Sequence, residues 1–421
     1  MTIPTATLTE GGGKADRAIP TQLRRLFYGA PWVSAAAPIA YGLSAYFVAI
    51  QVQLIDESSK EANLALINSL SAVAAMLAQP IFGVLSDRTR SRFGARRPWM
   101  LVGAVIGGLA LVTSGLAPNM AILTVCVMLV QFGFNAFQAP FSALLPDRVP
   151  EKFRGRYSTG VGLGALVGAV LGPILGSMFA DSIPVGYLVL TGVILLPIVL
   201  FILLVPDVDN RGALQPPFRW LSFLSAFWVN PVRYPDFFWG FVGRILLMGA
   251  YAMLSTYQLY IAQDYIGLSL AEATTIVPLF GLVALPGIII AIAIAGPLSD
   301  RIGRRKPIVL VAGLVITLGA IVPLLFPSVV GLAVSSAVVG AGFGAFVAVD
   351  QALMSSVLPS PDSYGKDLGV LNLAATLPNT IAPIAASMIV LAFGNYGSLY
   401  VAAGIIGLLG ALAILPIRGV R

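Results

Sequence analysis

GVLSDRTRSRFGARRP, residues 83–98, and GPLSDRIGRRKP, residues 296–307, are two versions of one loop, and they begin 213 positions apart. The same offset relates QAPFSALLP, residues 138–146, to QALMSSVLP, residues 351–359. Two independent matches at one offset indicate an internal repeat. We therefore predict a tandem duplication whose two halves have the same orientation.

Apolar runs of about 20 residues recur on both sides of these loops, and each is long enough to cross a hydrocarbon core of roughly 30 Å as an α-helix. Hydrophobic residues make up 58% of the 421 residues, charged residues make up 10%, and the mean hydropathy is +0.91. We predict an all-α integral membrane protein with twelve transmembrane helices, six in each half. The predicted spans are 33–54, 62–85, 99–117, 119–145, 157–180, 184–205, 237–262, 270–297, 308–326, 329–357, 367–393 and 396–417.

The spans and the repeat divide the chain into two pseudo-symmetric halves, residues 33–205 and residues 237–417. Residues 206–236 form the linker between them, and its aromatic middle, Phe218 to Trp228, predicts a helix that lies in the membrane interface. The predicted tails are residues 1–32 and 418–421.

Positive charge is concentrated on one side of the predicted membrane. Of the 25 basic residues, all but Lys60 and Arg244 fall in the tails and in the alternate loops that share that side. Since Lys and Arg concentrate in cytoplasmic loops, we predict a multi-pass protein of the plasma or bacterial inner membrane with both termini cytoplasmic. The net charge of +7 follows from this topology. It favours contact with anionic membrane lipids rather than nucleic acid, which needs a concentrated basic patch.

The composition argues against an enzyme. The chain has no histidine and a single cysteine, Cys126, so thiolate–histidine chemistry and zinc binding lack a ligand set. No phosphate loop and no nucleophile–base pair occurs in the sequence. We therefore predict no metal and no cofactor. A transport-inactive receptor or assembly factor stays an alternative, because a fold does not fix a function.

The pattern G-x-L-S-D-R followed by G-x-R-R/K, in residues 83–98 and 296–307, resembles the signature loop of the major facilitator superfamily. The resemblance implies a monomeric secondary transporter that works by alternating access, with these loops acting as gates. For the arginines, a purely topological role is the alternative. The implied gating residues are Gly83, Asp87, Arg88, Arg96, Arg97, Arg154, Arg156, Asp300, Arg301, Arg304 and Arg305.

The branch of the family is indicated by the first loop, which is four residues longer than the second, and by residues 138–147 followed by Arg154-Gly-Arg156. Both resemble the glycoside-pentoside-hexuronide cation symporters and the sucrose-proton symporters, which implies a sugar or glycoside as the cargo. Sodium-coupled members have carboxylates in the second and fourth helices. In this sequence the polar residues of those spans are Asn63, Asn68, Gln131 and Asn135.

The fifth span contains Gly168-x-x-x-Gly172-Pro173-x-x-Gly176, which resembles a motif of drug-proton antiporters. This resemblance implies the alternative function, proton-coupled export of drugs or metabolites. Small residues at this spacing also allow two membrane helices to approach closely, which is a purely structural explanation.

In the fold that the resemblance implies, the first, fourth, seventh and tenth spans line a central cavity. Polar residues recur there at helical spacing, and amides, hydroxyls and aromatic rings suit sugars. For each residue alone, hydrogen bonding between helices is the alternative. The candidate substrate-binding residues are Tyr41, Ser44, Gln51, Gln131, Asn135, Gln138, Tyr251, Ser255, Gln258 and Gln351.

Arg244 and Asp350 are the two ionisable residues that lie well inside the predicted spans, where an isolated charge costs at least about 2.5–3.5 kcal/mol. Their similar depth predicts that they form a pair. The hypothesis is that Asp350 takes up the coupling proton, while Arg244 either controls that protonation or binds the substrate when Asp350 is protonated. The alternative is a static ion pair that fixes helix packing. The favoured function is thus proton-coupled symport of a sugar or glycoside.

Overall fold

The computed structural model describes residues 19–207, 209–211, 233–357 and 364–417. This part of the chain forms twelve long α-helices and contains no β-strand. The helices, numbered in chain order, are α1 (Thr21–Ile55), α2 (Lys60–Arg88), α3 (Arg97–Ser114), α4 (Met120–Arg148), α5 (Glu151–Ser177), α6 (Ile183–Leu204), α7 (Pro235–Thr256), α8 (Leu270–Ile302), α9 (Lys306–Leu325), α10 (Val329–Ser356), α11 (Tyr364–Phe393) and α12 (Gly397–Leu412).

Eleven of these helices are long and apolar enough to cross a membrane, and α12 is a shorter apolar helix of 16 residues. The predicted all-α architecture is confirmed. The main difference is that α1 begins at Thr21 rather than at residue 33, because Leu26 and Phe27 are buried and extend the helix beyond its apolar centre. The predicted interfacial helix of the linker lies outside the described residues.

The contacts within one half repeat in the other with a shift of six helices. In the first half α1 packs against α4, α5 and α6, while α2 and α3 pack against α4 and α3 also packs against α6. In the second half α7 packs against α10, α11 and α12, while α8 and α9 pack against α10 and α9 also packs against α12. The two halves meet mainly along α2–α11 and α5–α8. The predicted pseudo-symmetry of two six-helix halves is therefore confirmed.

The repeat extends to the backbone of the two matched loops. Gly94 has a φ of 85° and Gly303 has a φ of 64°, a left-handed conformation that L side chains rarely adopt. Each loop then enters a helix with proline in its first turn, Pro98 in α3 and Pro307 in α9, where a missing N–H costs no helical hydrogen bond. The G-x-R-R/K pattern thus specifies the same turn twice.

Glycines allow α5 to approach the main chain of α1. A Cβ atom at Gly168 would lie 2.5 Å from the carbonyl oxygen of Ala35, and one at Gly172 would lie 2.6 Å from that of Ile39. Both distances are shorter than any normal contact, so a side chain there would force the helices apart. Close packing therefore accounts for the glycine motif of α5, and the motif does not have to be explained by export.

Candidate functional site

The two ends of the helix bundle differ in charge, and we name them accordingly. The basic end is the one at which α1 begins, and it carries Arg88, Arg97, Arg148 and Arg301. The acidic end is the opposite one, and it carries Asp56, Glu57, Glu61, Asp264 and Glu272 together with Lys60.

Helices α7 and α10 run antiparallel and carry two paired contacts at matched positions. Nη1 of Arg244 lies 3.1 Å from Oδ2 of Asp350. Seven residues nearer the acidic end on each helix, Tyr251 stacks on Phe343 with 4.0 Å between the ring centroids and 14° between the planes. At 1.5 Å per residue, the two contacts are roughly 10 Å apart along the helices. The predicted charged pair is therefore formed, and an aromatic pair lies beside it.

The ion pair is buried and uses only part of the guanidinium group. The side chain of Asp350 is 8% exposed and that of Arg244 is 14% exposed. Nε of Arg244 is also buried, and it has no hydrogen-bond partner among the described residues. Arginine and a carboxylate often form two parallel hydrogen bonds. The contact observed here leaves part of the guanidinium free for another acceptor.

In the first half, α1 and α4 are the counterparts of α7 and α10, and they contribute a tyrosine and amides. Nδ2 of Asn135 donates to the carbonyl oxygen of Gln131 at 2.8 Å and lies 3.3 Å from its side-chain oxygen. The ring of Tyr41 packs edge-on against Phe134, and its buried hydroxyl has no hydrogen-bond partner among the described residues. Gln138, one turn nearer the basic end, is half-buried. These residues keep hydrogen-bonding capacity that a polar solute can use.

Gln51 and Ser44 differ from the predicted cavity lining, because both side chains point into the first half. Nε2 of Gln51 donates to the carbonyl oxygen of Ser114 at 2.9 Å, and the hydroxyl of Tyr187 donates to Oε1 of Gln51 at 3.2 Å. Ser44 is buried next to Tyr187. Since α3 and α6 use the polar groups of Gln51, we remove Gln51 from the candidate site. Ser44 faces α6, but its buried hydroxyl has no hydrogen-bond partner among the described residues, so its hydrogen-bonding capacity is unused.

The remaining candidates on α7 and α10 are not equivalent. Ser255 is exposed, and its hydroxyl donates back to the carbonyl oxygen of Ala252 at 3.2 Å. Gln258 is half-buried in the short helical turn Gln258–Tyr260, which follows α7. Gln351 belongs to α10, but its side chain lies outside the described part of the structure.

An ion pair and an amide pair join the two halves at the acidic end. Nζ of Lys60, at the start of α2, lies 2.7 Å from Oδ2 of Asp264, in the π-helical turn that follows α7. Lys60 also lies over the ring of Tyr260, 5.0 Å from its centroid. The side-chain amides of Gln53 and Gln263 donate to each other at 2.9 and 3.0 Å.

Tyrosine hydroxyls add further contacts between the halves. Tyr46 donates to the carbonyl oxygen of Thr274 at 2.8 Å, and Tyr260 donates to that of Ala49 at 2.9 Å. Tyr396 donates to Oε1 of Glu61 at 2.8 Å. These polar contacts, together with the ion pair and the amide pair, close the bundle at its acidic end.

At the basic end, Arg96 organises the first matched loop. Its guanidinium contacts Asp87 at 2.5 Å and Asp147 at 2.8 Å, and it donates to the hydroxyl of Ser86 at 2.7 Å. Its backbone N–H donates to the carboxylate of Asp207, at the start of the linker. Burial alone would lower the pKa of Arg96, but Asp147 and Asp87 more than offset this and hold the pKa above its usual value. Arg96 therefore ties α2, α3 and α4 together.

The other predicted gating residues in the first half have separate contacts. Arg97 donates to the carbonyl oxygen of Ile202, at the end of α6. Arg154 donates to the carbonyl oxygen of Val149 at 3.2 Å and lies 3.8 Å from Glu151. Arg88 and Arg156 have interaction partners as well. A Cβ atom at Gly83 would meet no atom within 4 Å, so packing does not require glycine there.

Within the described part of the chain, the second matched loop lacks the charge network of the first. Asp300, Arg301 and Arg304 are exposed, and none of them forms an ion pair with a described residue. Arg305, which matches Arg96 in the repeat, instead donates to the carbonyl oxygen of Ala352 at 2.5 Å. The repeat preserves the turn but not the ion pairs, so the residues of the two loops are not equivalent.

Sequence reasoning missed Phe343 and the acidic-end pair of Lys60 and Asp264, because solvation is the ordinary explanation for a charged residue near the end of a membrane helix. A signal was nevertheless present. Lys60 and Arg244 are the two basic residues that depart from the charge bias, and both form ion pairs across helices. Phe343 gave no comparable signal, since a phenylalanine in an apolar span is ordinary.

The sequence model of the Major Facilitator Superfamily matches residues 33–293 and 285–420 of this chain. Together these ranges cover nearly all of the twelve helices.

Two relatives share a shorter region. The general alpha-glucoside permease of Schizosaccharomyces pombe is 32% identical over 90 residues, which cover 18% of this chain and 16% of the permease. Proton-associated sugar transporter A of Mus musculus is 37% identical over 93 residues, which cover 18% of this chain and 12% of that protein. Each match thus spans less than a fifth of the relative's length.

Several solved structures share the fold over nearly the whole chain. A bacterial homologue of the human lysosomal transporter Spinster, in an inward-facing and unoccupied conformation, has a TM-score of 0.71 at 16% identity and covers 95% of this chain and 96% of its own. A D-xylose-proton symporter has a TM-score of 0.69 at 17% identity, with coverages of 94% and 98%. A nucleoside transporter has a TM-score of 0.73 at 11% identity, with coverages of 92% and 99%.

Proposed function

Because the chain belongs to the major facilitator superfamily, and is therefore a transporter rather than an enzyme, we propose that it moves a sugar or glycoside by proton-coupled symport. The observation that carries the proposal is the buried contact between Arg244 and Asp350. In this proposal Asp350 takes up the coupling proton, and Arg244 responds to the change in its charge.

A buried pair of opposite charges can link two binding events. While Asp350 is ionised, it neutralises Arg244 at 3.1 Å. When Asp350 takes up a proton, the charge of Arg244 loses its compensation in a medium of low dielectric constant, which is costly. A substrate that binds Arg244, or a movement of α7 against α10, relieves that cost. Proton binding and substrate binding then favour each other.

Polar and aromatic groups of the four predicted cavity helices support a sugar as the cargo. The stacked rings of Tyr251 and Phe343 offer an apolar surface for a sugar ring, while Gln131, Gln138 and the hydroxyl of Tyr41 offer donors and acceptors for hydroxyl groups. The names of the alpha-glucoside permease and of the proton-associated sugar transporter agree with this substrate class.

Alternating access is the proposed transport cycle. The contacts at the acidic end hold one end of the bundle closed, as is required when the substrate site is reached from the basic end. The basic end is assigned to the cytoplasm from the concentration of Lys and Arg there. Opening the acidic end requires breaking the Lys60–Asp264 and Gln53–Gln263 contacts.

The test is uptake of a labelled panel of monosaccharides and disaccharides by cells that express the protein, with and without an uncoupler. We expect at least one sugar to accumulate in an uncoupler-sensitive manner. Asp350→Asn should abolish this accumulation but retain exchange of internal for external sugar, because the substrate site persists without the proton site.

Glu272→Gln is the matched control. Glu272 is an exposed acid that completes the capping box of α8 with Ser269, and glutamine can form the same box. This variant should accumulate sugar like the unmodified protein. If no sugar accumulates and the cells instead retain less of a cationic dye, the protein is an exporter and the proposal is wrong.

A further inference from the structure

Arg244 has more hydrogen-bonding capacity than Asp350 uses. One contact joins them, from Nη1 to Oδ2 at 3.1 Å, and the buried Nε has no partner among the described residues. A guanidinium group carries five N–H donors, and its edges match the two oxygens of a carboxylate. A purely structural pair in a membrane would gain most from using both oxygens and all buried donors. The observed contact instead uses one oxygen of Asp350 and leaves the buried Nε of Arg244 without a partner among the described residues.

The electrostatics define what the extra donor would bind. Among the described residues, Arg244 and Asp350 are the ionisable pair in contact between α7 and α10, and together they are neutral. Adding an anion to this neutral pair would leave a net negative charge in a medium of low dielectric constant, which is unfavourable. Once Asp350 has taken up a proton, the same anion compensates the charge of Arg244 and restores neutrality.

We propose that the transported solute carries a carboxylate, which binds Arg244 in place of the Asp350 carboxylate when Asp350 is protonated. This inference rests on the proposed function and narrows its substrate class to sugar acids or similar organic anions. The solute's ring packs along α7 and α10 towards Tyr251 and Phe343, roughly 10 Å from the charged pair.

The proposed transport step is electroneutral, which means that it moves no net charge across the membrane. Asp350 gains one proton from water, and its contact with Arg244 breaks. Arg244 then donates N–H groups to the carboxylate of the solute, so one proton and one monoanion occupy the site together. On release the solute leaves Arg244, the proton leaves Asp350, and the original ion pair forms again. A neutral sugar carried with a proton would instead move one net charge, so the two cases differ in their response to a membrane potential.

The experiment uses the full chain, purified and reconstituted in liposomes that contain a pH-sensitive dye. The probes are glucuronate and galacturonate, each compared with its neutral parent sugar. We expect each acid to compete for transport at a concentration roughly tenfold lower than its parent, because a site built for a charged group rejects the analogue that lacks it. We also expect one proton per acid and a rate that a potassium–valinomycin potential leaves unchanged.

Variants of the pair separate binding from coupling. Arg244→Gln should remove the preference for the acid over its parent. Asp350→Asn should retain acid binding but lose the dependence of that binding on pH. Arg244→Gln combined with Asp350→Asn leaves no lone buried charge, so it controls for misfolding, and it too should show no preference for the acid.

Three results overturn the inference. One is transport of neutral sugars with potential-dependent proton entry, which leaves the proposed function intact. Another is an acid preference that survives Arg244→Gln. A third is transport of neither acids nor neutral sugars by correctly folded protein, which overturns the proposed function as well.

Discussion

Lys60 and Asp264 form an ion pair at 2.7 Å between the two halves of the transporter, at the end of the bundle that otherwise carries acidic groups. Lys60 is 7% exposed as a residue and is held in addition by the ring of Tyr260. The pair therefore belongs to the closure of the acidic end rather than to a solvated surface.

Replacing Lys60 with methionine is expected to shift the protein towards an acidic-end-open state. The side chain of Asp264 is 39% exposed, so solvent screens the ion pair and limits its contribution to about 0.5–1 kcal/mol. Losing that contribution changes the ratio of acidic-end-open to acidic-end-closed protein roughly two- to fivefold. Spin labels at Glu57→Cys and Phe326→Cys, in a Cys126→Ser background, would report the change as a larger long-distance fraction. The exchanged pair Lys60→Asp with Asp264→Lys should restore the original distribution, and an unchanged distribution in Lys60→Met would contradict the assignment.

Two glycines of α5 allow a test of helix packing with the same substitution at different sites. Gly168→Ala places a Cβ atom 2.5 Å from the main chain of α1, whereas Gly162→Ala meets no atom within 4 Å. We expect Gly168→Ala to lower the unfolding free energy by about 1–3 kcal/mol and Gly162→Ala to be neutral or slightly stabilising. Thermal unfolding in detergent measures both. Equal stability of the two variants would mean that α1 and α5 are not in close contact.

The aromatic pair is expected to contribute to substrate affinity. Tyr251→Leu and Phe343→Leu should each raise the KM for the transported solute by roughly five- to tenfold, since each removes a stacking surface worth about 1–1.5 kcal/mol. Phe393→Leu is the control, because Phe393 is 69% exposed at the end of α11. Transport kinetics of the three variants provide the comparison, and a KM that changes equally in all three would place the substrate elsewhere.

The asymmetry of the two matched loops predicts unequal effects of neutralising an arginine. Arg96→Gln removes contacts with Asp87 and Asp147, so we expect a loss of about 1–3 kcal/mol of stability and slower transport. Arg304→Gln alters an exposed residue that forms no ion pair with a described residue, and it should leave both properties unchanged. Thermal unfolding and transport rates are the measurements. If the two variants behave alike, the network of Arg96 has no role in the cycle.

The architecture was predictable from the sequence because it depends on long apolar runs and on a repeat, both of which survive without knowledge of any contact. The ends of helices were harder, as the early start of α1 at Thr21 shows, since its first turns are amphipathic rather than apolar. Apolar length identifies the part of a helix that lies in the membrane, not the whole helix.

The candidate site was predicted in part for a different physical reason. Helical spacing shows which residues share a face, but it does not show which neighbour that face meets. Gln51 shares a helix with the predicted cavity residues, but its side chain bonds to Ser114 and Tyr187 within the first half. Arg244 and Asp350 were predicted correctly as a pair because a buried charge needs a partner. A buried charged side chain therefore predicts its contact partner better than an uncharged polar side chain does.

The tyrosine contacts at the acidic end have a consequence for divergence among homologues. Tyr46 and Tyr260 donate to the carbonyl oxygens of Thr274 and Ala49, and every amino acid supplies such an oxygen. The accepting positions can therefore change identity without loss of the contact, while the donating tyrosines cannot. Sequence comparison therefore cannot detect the accepting side of these contacts. Homologues that keep only the two tyrosines should close at the acidic end in the same way.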